Sequence, residues 1–251
     1  MLLTYDDHLA AIRREADLMA TTVAASDLDA TVPTCPEWTV RDLAQHLGQV
    51  HMWATVHVEQ ALTTPLTDEE TAAVWGDPPA DADLVGWYRG TADRLVKALE
   101  QAPPDLVAWT FFRDAPAPRD FWVRRQAHEL AIHRADAQGV AGSFDPVAPD
   151  FAADGIEELL FGFFARRASR LRSETPVTLG MQTDNGSWRV HIGPEPAVTE
   201  RGDATADCTV RGSASDVYHA LWNRLPLHDL RVGGDPAVLD LWNRMARIVW
   251  T

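Results

Sequence analysis

From Leu9 onward, apolar residues recur at Leu9, Ile12, Ala16, Met19 and Val23, spacings of three and four that place them on one helix face. The Pro-containing stretch 33–36 interrupts the pattern. A second helix is announced by Thr39 with Asp42 three positions on, a variant of the capping box that satisfies the first free backbone N–H groups. Leu43, His46, Leu47, Val50, Trp53 and Ala54 then share a face, and the pattern runs to about Ala61. A polar connection over 63–79 leads to a third helix over 83–100, with Val85, Tyr88, Ala92, Leu95 and Leu99 inward, and Pro103 and Pro104 stop it. A fourth helix begins near Pro118, where the missing N–H costs nothing, and continues to about Gln138. Four long amphipathic helices joined by Pro-rich connections predict a four-helix bundle.

Beyond 141–149 the period changes. A helix over 151–172 carries the apolar face Ile156, Leu159, Leu160, Phe163 and Phe164. Alternation follows, first Val177, Leu179 and Met181, then Trp188, Val190 and Ile192, with Asn185-Gly186 as a hairpin signal between them. A further strand fits 207–211, and helices near 215–223 and 236–249 close the chain. Gly233-Gly234-Asp235-Pro236 reads as a turn in which Asp235 caps the last helix. The expected organisation is an all-α bundle over 1–140, a linker over 141–149, and a smaller α+β domain with a mostly antiparallel sheet over 150–251.

Composition narrows the function classes. The 251 residues are 46% hydrophobic and 24% charged, enough to bury a core without disulfides. Acidic residues outnumber basic ones 37 to 22, a formal charge of −15, which argues against a nucleic-acid or anionic-membrane surface. Cys35 and Cys208 are the only cysteines, so neither a disulfide scaffold nor a Cys-based zinc finger is available, and a reduced, cytoplasmic compartment is expected. No secretory signal pattern and no apolar run long enough for a transmembrane helix are present, so no membrane partner is expected. Lys97 is the sole lysine and sits in an ordinary helical pattern. Nothing in these patterns bears on oligomeric state.

The informative constellation is His46 on the second helix with Glu129 and His133 on the fourth. Glu129 and His133 are four apart and share a helix face, with Trp122, Arg125, Ile132 and Asp136 on or near it. Two histidines and a carboxylate make a three-ligand set with open coordination positions, the arrangement of catalytic zinc. Spacing alone leaves a second reading open: a core histidine beside an ordinary helix-surface pair. His51 and His57 lie further along the second helix and read as surface or rim residues. His128 points aside from Glu129 and suits packing. Cys35 is either a small buried hydrophobe or a thiol activated near a helix start.

The run Val32-Pro33-Thr34-Cys35-Pro36-Glu37-Trp38-Thr39 through Asp42-Leu43 to His46-Leu47 resembles the signature of the mycothiol-dependent maleylpyruvate isomerase family of actinobacteria, whose N-terminal domain is a DinB-like metal-binding bundle. A second block, Phe121-Trp122 through His128-Glu129 to His133 and Asp136, is similar to the same family. A third, from Val210-Arg211-Gly212-Ser213 through Leu221-Trp222-Asn223-Arg224 to Asp235-Pro236, looks like its sterol-carrier-like C-terminal domain. The resemblance implies that His46, Glu129 and His133 bind a divalent metal, zinc first, with nickel, iron or manganese also suited to the donor set. It implies mycothiol as cosubstrate and a small electrophile as substrate, handled by an isomerase or S-transferase. Asp136 would orient a ligand histidine. Arg125, one turn before Glu129, and Arg224 or Arg231 of the second domain are the candidate catalytic anchors, with an ordinary ion pair as the alternative for each. Two other classes stand beside this reading: a metal-dependent hydrolase of small molecules, and a non-catalytic module that binds a small ligand or metal.

Overall fold

The computed structural model describes residues 3–112, 114–203 and 205–248. The chain forms two units, one of residues 4–111 and 115–145, the other of residues from 146 onward with residues 3, 112 and 114.

In the first unit, Thr4 and Asp7 form a capping box that starts α1 (Tyr5–Ala25), and Thr39 and Asp42 form the one that starts α2 (Val40–Glu59). Between them, β1 (Thr31–Val32) and β2 (Cys35–Thr39) make a small antiparallel hairpin that turns at Pro33-Thr34. The short α3 (Asp68–Trp75) precedes α4 (Leu84–Gln101), and α5 (Pro118–Gly139) completes the unit. The four long helices pack in a ring: α1 on α5, α5 on α2, α2 on α4, and α4 on α1. α1 and α2, and likewise α4 and α5, therefore face each other across the diagonals, while α2 packs on both α4 and α5. Leu9, Ile12, Met19 and Val23 of α1 and Leu43, Leu47 and Ala54 of α2 are buried, as are Tyr88, Leu95 and Leu99 of α4.

The second unit opens with α6 (Pro149–Glu157), which continues as a π-helical turn over Glu158–Phe163. A five-stranded sheet follows: β3 (Val177–Thr183), β4 (Gly186–Ile192), β5 (Val198–Arg201), β6 (Cys208–Arg211) and β7 (Arg231–Gly234). The spatial order is β5-β4-β3-β6-β7, antiparallel except for the β3–β6 pair. Register places Met181 between Trp188 and Val210, and Leu179 between Val190 and Cys208, all six residues buried. α7 (Ala214–Leu221) and α8 (Ala237–Met245) pack on β3, and α7 also packs on α6. No helix among the described residues is long and apolar enough to cross a membrane.

Several elements differ from the expectations. α3 lies inside the stretch read as a connection; it has its own Thr67–Glu70 capping box but buries no residue, so it leaves no apolar stripe. The β1–β2 hairpin was masked by Pro33 and Pro36, which are tolerated because a two-stranded ribbon is all edge. Edge strands β5 and β7 are largely exposed and so lack core alternation. The helix expected to reach Arg172 stops near Phe164, because the π turn brings Leu159, Leu160, Phe163 and Phe164 into the core and the arginine-rich run after it has no face to bury. The hairpin signalled by Asn185-Gly186 turns one residue earlier, at Asp184-Asn185, with Gly186 already paired to Thr183 in β4; a Cβ at Gly186 would sit 2.8 Å from the Trp188 ring, which is what glycine avoids there. Position 249, the expected end of the last helix, lies outside the described residues.

Candidate metal centre

The cap at Thr39 sets the phase of α2 so that His46, two turns in, sits on the side that meets α5. On α5, Arg125, Glu129, His133 and Asp136 follow at intervals of four, four and three, one stripe down the helix. Packing of α2 on α5 brings the two histidines to one carboxylate oxygen. His46 Nε2 lies 3.5 Å from Glu129 Oε1, and His133 Nε2 lies 3.3 Å from the same atom. One donor atom from each of the three residues lies within 4.8 Å of the others.

The remaining polar atoms are committed. Asp136, whose side chain is fully buried, accepts from His133 Nδ1 at 2.8 Å. It also accepts from Thr34 Oγ1 of the β1–β2 turn at 2.5 Å. Arg125, with a side chain 3% exposed, donates to the second oxygen of Glu129 at 2.8 Å. The Trp38 ring stands 4.7 Å from that of His46 and 6.3 Å from that of His133.

This arrangement demands positive charge between His133 and Glu129. With the Nδ1 proton given to Asp136, Nε2 presents either a second proton or a bare lone pair to a carboxylate oxygen. Burial alone would lower the His133 pKa, but hydrogen bonds to Asp136 and Glu129 outweigh it and raise it to about 9. Burial would likewise raise the Glu129 carboxyl, yet the two imidazoles and Arg125 hold it well below the usual range. A divalent ion satisfies the same geometry without the proton: ligand atoms about 2.1 Å from a tetrahedral ion stand about 3.4 Å apart, close to the 3.3 and 3.5 Å separations here. The residues fit a metal. His46 keeps 28% of its side chain exposed against 12% for Glu129 and 13% for His133, so the donors are reachable from solvent on the His46 side.

Other sequence candidates fall elsewhere. His51 and His57 are fully buried, against the expectation of surface or rim positions, because the interior arc of α2 spans its contacts with both α5 and α4. His51 Nδ1 pairs with Thr91 Oγ1 at 3.2 Å, and His57 is ringed by Trp53, Trp109 and Trp122. His128 is buried with its ring edge-on to His8. Cys35 is half-buried in β2. Arg125 is occupied with Glu129. In the second unit, Arg224 donates to the Trp222 carbonyl at 2.7 Å and Arg231 is exposed on β7. Thr34 and Trp38 were not singled out from the sequence; they lie inside the first motif block, but only the fold shows that their hairpin reaches α5.

A family model described as the mycothiol maleylpyruvate isomerase N-terminal domain matches residues 9–138, and one described as the MDMPI C-terminal domain matches residues 150–241. Comparison with curated proteins gives no significant match. Among solved structures, a crystal structure of a histidine-to-alanine mutant of the mycothiol-dependent maleylpyruvate isomerase superposes with a TM-score of 0.64 at 14% identity, covering 92% of this chain and 93% of that one. A second crystal structure of the mycothiol-dependent maleylpyruvate isomerase gives 0.60 at 14% identity, covering 89% and 90%. At that identity the likeness speaks for the fold.

Proposed function

The chain belongs to the mycothiol maleylpyruvate isomerase family, and from that premise we propose that it is a divalent-metal enzyme that uses mycothiol on a small electrophilic substrate. Addition of the thiol to an electrophilic carbon, bond rotation and elimination would make it a cis–trans isomerase; retention of the thioether would make it an S-transferase. The observation that carries this reading is the convergence of His46, Glu129 and His133 at the α2–α5 seam.

His46 and His133 would hold the ion through Nε2, and Glu129 through Oε1. Zinc suits this set best, with nickel, iron and manganese as its competitors. The ion supplies Lewis acidity, which lowers the pKa of a thiol brought to it. Asp136 keeps the His133 proton on Nδ1 and so leaves Nε2 free to face the donor set. Arg125 balances the charge of Glu129 and ties down its second oxygen. Trp38 walls the imidazoles with an apolar face. Two cysteines, Cys208 buried and Cys35 half-buried, suit a reduced, cytoplasmic setting in which the reacting thiol comes from a cosubstrate.

Metal analysis of protein purified without chelator should find about one divalent ion per chain, absent from His46→Ala and Glu129→Ala. Wild-type protein that takes up no zinc would overturn the proposal. With metal bound, incubation with mycothiol and a panel of electrophiles that includes maleylpyruvate should consume thiol or isomerise substrate. Metal without either outcome would favour a hydrolase or a binding module.

A further inference from the structure

The β1–β2 hairpin reaches the centre twice, through Trp38 beside His46 and through Thr34 on Asp136, which holds His133. It is also anchored to the start of α2. The N–H of Val40 donates to the Ala30 carbonyl at 3.0 Å, and that of Arg41 to the Leu28 carbonyl at 3.0 Å. The hairpin therefore bridges the helix that carries His46 and the helix that carries Glu129 and His133.

We propose that Thr34 is a positioning residue of this centre, acting on His133 through Asp136; the proposal rests on the metal reading above. The two oxygens of Asp136 meet Thr34 and His133 with distinct geometry. Thr34 Oγ1 donates to Oδ1, and His133 Nδ1 donates to Oδ2. The hydroxyl has one proton and a carboxylate only accepts, so the direction of the Thr34–Asp136 bond is fixed. At 2.5 Å it has the length of a strong hydroxyl–carboxylate bond. It stops the carboxylate from rotating about its last torsion, a soft sp3–sp2 bond with no other intrinsic preference. A held carboxylate holds the His133 ring, and the ring aims Nε2 at Glu129. Thr34 itself is exposed, and Pro33 before it restricts the turn that presents its hydroxyl.

Three variants test this: Thr34→Val, which keeps shape and removes the donor; Thr34→Ser, which restores it; and Asp136→Asn. Zinc is titrated into each metal-free protein, and exchange of the His133 ring Nδ1 proton with water is followed by NMR before zinc is added. Thr34→Val should weaken zinc binding about tenfold, at the lower end of the range for outer-shell partners, and speed proton exchange, with an unchanged circular dichroism spectrum. Thr34→Ser should match wild type in both readouts. Thr34→Val should add nothing to Asp136→Asn, because it acts through that carboxylate. Equal zinc affinity and exchange in Thr34→Val and wild type would overturn the proposal, as would a Thr34→Val effect that adds in full to Asp136→Asn. If wild-type protein takes no zinc, the proposed function fails, while the exchange measurement still decides the role of Thr34.

Discussion

Gly234, at the end of β7, adopts a φ of +94°, and a Cβ placed there would lie 2.1 Å from the Asp207 carbonyl oxygen. That carbonyl also accepts from the Asp235 N–H at 2.8 Å, so the backbone cannot simply move away. Gly234→Ala combines a strained left-handed conformation with a backbone clash and should cost at least about 2 kcal/mol. Urea unfolding measures it, and a loss under about 0.5 kcal/mol would contradict the account. His51 gives a pH prediction. Burial, with a small addition from His46 and against the pull of Glu129, lowers its pKa from 6.5 to about 3. Above pH 6.5 both folded and unfolded chains carry it neutral. Below that the unfolded chain takes a proton that the folded one refuses, so stability falls by up to about 1.4 kcal/mol per pH unit down to pH 3. His51→Phe should flatten that acid limb in unfolding measured from pH 7 to 4; an equally steep fall would remove His51 as its source. This burial was not readable from the helix angle between His46 and His51, because an angle says which way a residue turns and not how many neighbours surround the helix.

α5 shows at the level of elements how packing overrides pattern. It is buried around most of its circumference, including Arg125, Arg134 and Asp136, so it lacks a clean amphipathic stripe. Arg134 pairs with Glu15 of α1 at 2.8 Å with both side chains almost fully buried, and reaches the Gln138 side chain and the Asp145 carbonyl as well. Arg134→Leu would leave buried Glu15 paired with the half-exposed Arg14 at 2.9 Å, so a loss of about 3 kcal/mol is expected, at the low end for breaking a buried pair. The double variant Glu15→Leu, Arg134→Leu should lose less than Arg134→Leu alone, read by thermal unfolding. The long helices were legible because each carries a stripe, a cap or a proline stop. α3, β5 and β7 were not, because they contribute little to a core and core burial is what writes periodicity into a chain. Adjacency of α2 and α5 was equally invisible: spacing put Glu129 and His133 on one face, but only the ring order of the helices brings His46 to them. Family resemblance supplied the three residues as a set before their geometry was known.

For the molecule as a whole, the charge of −15 leads to an expectation of exclusion: no retention of duplex DNA at low ionic strength, checked by gel shift. Ligand linkage gives a positive test. If the ion binds only the folded bundle, zinc at a hundred times its dissociation constant should add about 2.7 kcal/mol to stability. The unfolding temperature of wild type should then rise with zinc while that of His46→Ala stays put. The two-part architecture was legible from the switch of period near residue 145, as was the mixed make-up of the second part. The parallel β3–β6 pair was not, since it joins strands distant in sequence, whose flanking residues Thr178 and Asp207 bond each other across 29 residues.

Arg125 on the second oxygen of Glu129 has a consequence for ion choice. A carboxylate with one oxygen already engaged offers an ion chiefly its other oxygen, so Glu129 would hold one at a single point. Three single-point donors favour an ion content with a low coordination number and leave oxygen-hungry ions such as calcium or magnesium underserved. Freed of that restraint in Arg125→Met, the same glutamate could chelate through both oxygens. Relative affinity should then shift from zinc toward manganese, a change in denticity that competition titration would read directly.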